Sequence, residues 1–403
     1  MAAVKFPNPF RPGAGHMPPY LAGRLQEIED FERLLQQDVI LENLVLTGLR
    51  GVGKTVLLES FKPLAFKAGW FWAGTDLSES TSLSEERMSM RLMTDLAVIT
   101  SSLVVGTQTK AALGFSTPIQ TEHKLNFEMM LQIYTGTVGL IADKLKAVLE
   151  FVWSVLQSMG SKGVIFAYDE AQNMADHSIK DQYPLSLLLD TFQSIQRKGV
   201  PFMLALAGLP TLFPKLVEAR TYAERMFRVV FLDRLGEADC HQAINRPIRA
   251  QQCPVHFTPG AVDEITDYSG GYPYFIQFIC REAFDVYMQR IDKSTSPVNL
   301  REITRKLDTD FFAGRWARVT DRQRDLLIVI AHLDSSEREF TVQEIAEESK
   351  VRLPDRPFSS SHISQMLLKL CEVGLVYKNR HGKYSFAVPL LGRFILRQEA
   401  NVL

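Results

Sequence analysis

Cysteine is scarce. Cys240, Cys253, Cys280 and Cys371 are the four in 403 residues. None forms a C-x-x-C pair and the spacings match no zinc framework, which argues against a disulfide scaffold or a structural zinc site and implies reduced thiols. An excess of either charge is also missing. Lys plus Arg number 45 and Asp plus Glu 46, a formal net charge of −1. No global field draws such a chain to nucleic acid, so any contact of that kind must come from a local patch. No uninterrupted apolar run approaches the ~18 residues of a membrane span, so no membrane partner is expected. Met1 to Tyr20 carries Pro and Gly where a signal peptide would have an apolar core, and the expected location is the cytoplasm. The eight histidines offer no H-x-x-x-H pair, and there is no internal repeat.

What remains is an ordinary globular composition, 46% hydrophobic and 23% charged, long enough for two or three domains. Five prolines between Pro7 and Pro19 exclude a regular helix there, so residues 1–22 are expected to be extended. Apolar positions at Leu25, Ile28, Phe31, Leu34 and Leu35 predict a helix. Short apolar runs at Asn43 to Thr47, Trp70 to Ala73, Val164 to Tyr168, Phe202 to Ala207 and Val229 to Leu232 predict strands, with helical patterns between them. Strands alternating with helices indicate a parallel sheet covered on both faces. Residues 84–105 and 131–159 read as helix, and 106–124, rich in Gly, Thr and Gln, as a long loop or insertion. After Leu235 the patterns are helical until a strand pair at 376–378 and 384–386, joined by the turn 379–383.

The strongest motif is Gly48-Leu49-Arg50-Gly51-Val52-Gly53-Lys54-Thr55, with a strand before it and a helix, starting Lys54-Thr55-Val56, after it. Glycines let the backbone wrap phosphates, and the amides point inward at a helix N-terminus, where the dipole favours anions. Lys54 is expected to reach the β- and γ-phosphates and Thr55 to ligate Mg2+, which makes ATP the expected ligand. Val164 to Tyr168 ends in Asp169-Glu170. Alone, such a run usually marks a strand meeting solvent. Downstream of a phosphate loop, Asp169 is a candidate for the magnesium shell and Glu170 for orienting or deprotonating the attacking water. In the segment Arg220 to Arg228, either Arg225 or Arg228 is a candidate to act across a subunit boundary, against the plainer reading of a solvated helix face. Gly270-Gly271-Tyr272-Pro273 is a chain break followed by a helix start, with Pro273 suited to the first turn. Thr341 to Glu348 and Ser359 to Val373 look like the two helices of a helix-turn-helix, followed by a hairpin with Lys378, Arg380, His381 and Lys383 near its tip. Such a tip can meet phosphates, although Glu344, Glu347 and Glu348 make the first helix acidic.

Taken in this order, the motifs resemble the AAA+ ATPases, in particular the group near the origin-recognition-like initiators and the STAND-type ATPases. Further blocks resemble a widespread bacterial ATP-binding family: Asn8 to Phe10 with Pro12 to Gly15, Leu21 to Arg24 with Glu27 and Ile28, Thr47 to Leu58, Tyr222 to Arg228, Gly271 to Phe275, and Phe386 to Leu390. The resemblance covers nearly all of the chain except about residues 80–160. It implies an α/β P-loop NTPase fold (AAA+/ASCE) with strand order 5-1-4-3-2, a helical lid and a C-terminal winged helix. It implies that Leu21, Gly23 and Arg24 lie beside the adenine, that Arg225 falls in the region that supplies an arginine finger, and that Pro273 matches the lid motif of STAND proteins. The sequence departs from the pattern at two places. Gly208-Leu209-Pro210 has no Asn, Thr or Ser where many AAA+ proteins place a sensor, with Thr211 as a substitute. The lid turn also lacks the sensor arginine, Arg281 lying further along the helix. Slow, switch-like hydrolysis is therefore expected.

The expected division is an extended segment 1–22, a nucleotide-binding domain 23–235, a helical lid 236–298, a helical connector 299–319 and a winged-helix domain 320–403. The expected activity is hydrolysis of ATP to ADP and phosphate with Mg2+. It would serve as a switch on double-stranded DNA through the 378–383 wing or, alternatively, on a protein partner, with homo-oligomers forming on ATP binding.

Overall fold

A computed structural model describes residues 7–13, 15–110, 119–251, 256–290, 300–380 and 382–402. Cys253, His381, Ala14 and the middle of the 106–124 segment lie outside these residues. The chain forms two compact units. One comprises residues 26–47 and 57–231; the other comprises 1–25, 48–56 and 232–403.

The first unit is built on a five-stranded sheet of β1 (Asn43–Gly48), β2 (Trp70–Ala73), β3 (Gly163–Tyr168), β4 (Phe202–Gly208) and β5 (Phe227–Leu232). Their order is 2-3-4-1-5, the expected 5-1-4-3-2 read from the other edge. The pairs β1/β4, β2/β3 and β3/β4 are parallel. The central strands β1, β3 and β4 are buried along their whole length, which is why they read as unbroken apolar runs without alternation. The register sets Thr47 opposite Gly208 and Tyr168 opposite Leu206, so the carboxyl ends of β1, β3 and β4 share one rim. At the other end, Asn43 and Gln196 form a buried amide pair. Asn43 Nδ2 donates to the Met226 carbonyl (3.2 Å), and its Oδ1 accepts from the Leu204 amide (2.8 Å), tying β1, β4 and the start of β5 together. Phe166, Phe192 and Phe202 pack beneath the sheet.

Two readings are corrected in this unit. Residues 104–110 and 119–124 are strands of an antiparallel hairpin, not a loop. Their Val, Ile and Thr suit a strand, but the sequence shows no regular apolar/polar alternation that would mark it. The 131–159 pattern is two helices, Phe127–Gly136 and Ile141–Ser158. The chain breaks at Gly139, whose φ of 133° is open to glycine, and Asp143 then accepts from the Leu140 amide (3.2 Å) to start the second helix.

In the second unit residues 7–13 and 15–22 form no helix or strand, and they are tied to the helices that follow β5. Asn8 Nδ2 donates to the Arg281 carbonyl (2.9 Å) and to Asp285 (2.8 Å), Phe10 is buried, and the Tyr20 hydroxyl meets Gln242 (2.9 Å). Helices Glu237–Ala250, Pro259–Ser269 and Pro273–Arg290 share one apolar core. The C-terminal part runs helix Asp321–Ala331, β6 (Phe340–Thr341), helices Val342–Arg352 and Ser360–Glu372, β7 (Val376–Arg380), β8 (Lys383–Phe386), and helix Leu391–Val402. β8 pairs antiparallel with both β6 and β7. The last helix adds to the sequence reading. Its buried Leu391, Phe394 and Ile395 have helical spacing, and Phe394 stacks on Phe312 at 5.0 Å.

Candidate functional site

The glycine loop belongs to the second unit. Gly51 (φ 79°) and Gly53 (φ 94°) adopt left-handed backbone, which an L-residue enters at a cost of about 1–2 kcal/mol. The loop is also crowded at two points. A Cβ on Gly48 would lie 2.4 Å from the Leu232 carbonyl oxygen, and one on Gly51 would lie 3.1 Å from Tyr274 Cβ. The helix Lys54–Lys67 starts directly after the loop, so its first amides open toward it. Lys54 folds back, its Nζ donating to the carbonyls of Gly48 (3.0 Å) and Leu49 (2.9 Å). Val52 is buried and Arg50 is exposed.

Two neighbouring pieces brace this loop. The buried Arg24 guanidinium donates to the carbonyls of Val52 (3.1 Å) and Asp233 (2.8 Å). A buried cation is tolerable only when hydrogen-bonded, and these carbonyls supply partners. Gly23 beside it is left-handed at φ 61°, and a Cβ there would lie 2.7 Å from the Asp239 carboxylate. Leu21, two residues before Gly23, is half-buried. From the other side, the amide of Tyr274 donates to the Gly51 carbonyl (3.1 Å). Gly270 (φ 57°) ends the preceding helix and Pro273 opens the next, as the sequence indicated. Thus Leu21, Gly23, Arg24, Pro273 and the loop 48–56 gather in one unit.

Asp169 and Glu170 sit in the first unit, immediately after β3. Asp169 is buried, its carbonyl accepting from the Leu77 amide (3.0 Å) and its Oδ1 from the Glu170 amide (2.7 Å). Glu170 is exposed and left-handed (φ 52°, ψ 31°), an uncommon state for a residue with a side chain and one that concentrates at functional sites. Gln172, which sequence reasoning passed over, hydrogen-bonds to Glu170. Only its place two residues after the acid could have drawn attention to it.

The segment Arg220 to Arg228 separates into bound and unbound arginines. Arg220 grips Asp190 with two bonds (2.8 and 2.6 Å), and the Tyr222 hydroxyl reaches the same carboxylate (2.6 Å). Burial pushes the Asp190 carboxyl up, but these hydrogen bonds outweigh it and hold the group below the usual carboxylate range. Arg228 pairs with Asp30 (3.0 Å). Arg225 is exposed and makes no ion pair among the described residues. Thr211 opens the helix Leu212–Ala219 without a side-chain cap bond.

At the other candidate surface, Lys378 is exposed, Lys383 is half-buried, and Asn379 donates to Glu339. The helix Ser360–Glu372 turns Ser361, His362, Gln365, Leu368, Lys369 and Glu372 outward, a face with little positive charge. Among the described residues no group of three His, Cys, Asp or Glu side chains could hold a metal, and no helix is long and apolar enough to cross a membrane.

Residues 309–395 match the model of a family described as Domain of unknown function (DUF8462). No curated protein matches the chain. Among solved structures, the chain is similar to the Walker-type ATPase PABY2304 of Pyrococcus abyssi (16% identity, TM-score 0.58, 93% of this chain and 96% of that one). It is similar to the ORC2 protein of Aeropyrum pernix in its ADP form (14%, TM-score 0.56, 96% and 98%). It is also similar to Cdc6p of Pyrobaculum aerophilum (16%, TM-score 0.50, 97% and 98%). At such identities the likeness establishes the fold alone, that of the AAA+ P-loop ATPases of the Orc/Cdc6 kind.

Proposed function

We propose that the chain binds ATP with Mg2+ and hydrolyses it slowly to ADP and phosphate, as a nucleotide-dependent switch. One observation carries the reading. Gly51 and Gly53 curl left-handed into the start of a fourteen-residue helix, between a buried arginine and a lid-helix amide that both hold the loop's carbonyls. With carbonyls tied outward in this way, the loop amides are left to face an anion, and the helix dipole adds to their pull. The ADP form of the A. pernix relative supports an adenine nucleotide.

In this reading Lys54 leaves its own carbonyls for the β- and γ-phosphates. Leu49, Arg50, Val52 and Val56 complete the loop, and Leu21, Gly23, Arg24 and Pro273 flank the base. Thr55 and Asp169 offer hard oxygen ligands, the kind Mg2+ takes in ones and twos beside substrate phosphates. Mg2+ held there would neutralise phosphate charge during transfer. Glu170 orients or deprotonates the attacking water, and Arg225 is the arginine offered to a second copy. Arg228, already paired with Asp30, is the poorer choice.

The domain division 23–235, 236–298, 299–319 and 320–403 is part of the proposal, with the last part a winged helix, which its helix, strand and hairpin order supports. Its partner is double-stranded DNA met through 378–383, or a protein. Two observations favour the protein. The outer face of Ser360–Glu372 carries one lysine against one glutamate and so has no positive excess, and the last helix is fastened to the lid, Arg393 donating to the Asp267 carbonyl (2.8 Å).

The test is ATP turnover with and without duplex DNA for wild type, Lys54→Ala and Glu170→Gln. Turnover lost in both variants supports the reading, and a folded wild type that takes up no nucleotide ends it. DNA-stimulated turnover that disappears when Lys378, Arg380 and Lys383 are replaced would select DNA as the partner.

A further inference from the structure

We infer that Gln172 is the positioning residue that aims Glu170, bracing it against the end of β4. The inference rests on the ATPase reading above. The rim of β4 presents Gly208, Leu209 and Pro210, none with a polar side chain. The polar contact at that rim comes instead from β3's side. Gln172 Oε1 accepts from the Leu209 amide (3.0 Å), while its Nε2 donates to Glu170 Oε2 (2.5 Å). One carboxamide therefore joins the strand end to the acid.

Three features fix it there. The left-handed turn at Glu170 brings residues 170 and 172 to the same side of the chain, close enough for that bond. A Cβ at position 208 would lie 2.8 Å from Gln172 Oε1, so the glycine makes room for the amide. The Gln172 carbonyl accepts from Lys215 Nζ (2.7 Å), anchoring the main chain from the following helix. An exposed glutamate on a single strand end would otherwise sample several rotamers. A hydrogen bond to a fixed amide selects one, and a misplacement of about 1 Å can cost up to ~100-fold in rate.

The absent sensor side chain after β4 thus has a substitute that reaches the same rim from the turn after β3. Gln172 touches the acid rather than the substrate, so its removal should lower turnover without lowering affinity.

The experiment uses the full chain with Mg2+ and ATP. Gln172→Glu keeps the length of the side chain and an oxygen for the Leu209 amide but loses the N–H that meets Glu170. We expect kcat to fall about 10- to 100-fold, with ATP affinity unchanged within about 3-fold and an unchanged melting temperature. In a Glu170→Gln background the same substitution should cost less than about 3-fold, because nothing remains for it to aim. Turnover by Gln172→Glu equal to wild type, a full multiplicative loss in the Glu170→Gln background, or an affinity loss that matches the kcat loss would each overturn the inference. Gln172→Leu, which removes both bonds without adding a charge, should also be slow; a Leu variant as fast as wild type would also overturn it. A wild type without turnover overturns it together with the ATPase reading. A wild type that hydrolyses ATP beside an unimpaired Gln172→Glu overturns this inference alone.

Discussion

The amide of Tyr274 donates to the carbonyl of Gly51 across 3.1 Å, so the first turn of the helix Pro273–Arg290 holds the glycine loop by its backbone. Pro273 has no N–H to offer, which leaves Tyr274 to provide the first amide of that helix. The ring of Tyr274 lies 5.2 Å from that of Phe311, and Phe311 lies 4.9 Å from Phe312, which stacks on Phe394 of the last helix. A packed aromatic row therefore runs from the Tyr274 contact to the C-terminal part.

Gly51→Ala tests that contact. A side chain there enters left-handed backbone and meets Tyr274, at a cost of about 1–3 kcal/mol. We expect a melting temperature lower by about 2–8 °C and weaker ATP uptake by calorimetry. An unchanged melting temperature would mean that the loop and the helix Pro273–Arg290 are not held as described.

Lys54→Ala removes an ammonium that donates to two carbonyls of its own loop. Little stability should be lost, within about 0.5 kcal/mol for a site of this kind, while ATP affinity drops at least about 10-fold, measured by titration calorimetry. Glu170→Gln should behave oppositely, binding ATP normally and turning it over roughly 100-fold or more slowly.

Arg225 and Arg228 should separate cleanly. Arg228→Ala loses a partly exposed ion pair with Asp30, worth about 0–1 kcal/mol, and should hydrolyse ATP normally. Arg225→Ala should melt like wild type and lose turnover. If Arg225 acts on a second copy, mixing Arg225→Ala with Lys54→Ala should restore part of the activity that each lacks. A mixture as inactive as its components counts against action between copies.

Asp190 gives a pH dependence. Its carboxyl is held below its unfolded value, so the stability it contributes is fully present above the ordinary carboxylate pKa and is lost as pH falls through the folded value. Denaturant melts below about pH 4 should weaken in wild type. In Asp190→Asn that part of the acid sensitivity should be missing, with stability lower than wild type at neutral pH. Parallel pH curves for the two would show that the Arg220 and Tyr222 bonds contribute nothing in solution.

Much of the molecule was legible in the chain itself. The glycine loop, the unbroken apolar runs of β1, β3 and β4, the acid pair and the Gly270–Pro273 break are local signals. Each states a backbone conformation or a degree of burial that its own residues demand. The strands 104–110 and 119–124 escaped because their sequences lack a regular apolar/polar alternation, and the last helix because its short apolar stripe follows closely on a strand pair. Partnership was not legible at all. Arg24 bracing Val52, Arg228 committed to Asp30, Asn43 locked to Gln196 and Gln172 spanning Glu170 and Leu209 join residues from 2 to 200 or so positions apart. Periodicity records which way a side chain faces, but a hydrogen bond needs a donor and an acceptor about 3 Å apart, and only the folding of distant segments onto one another sets that distance.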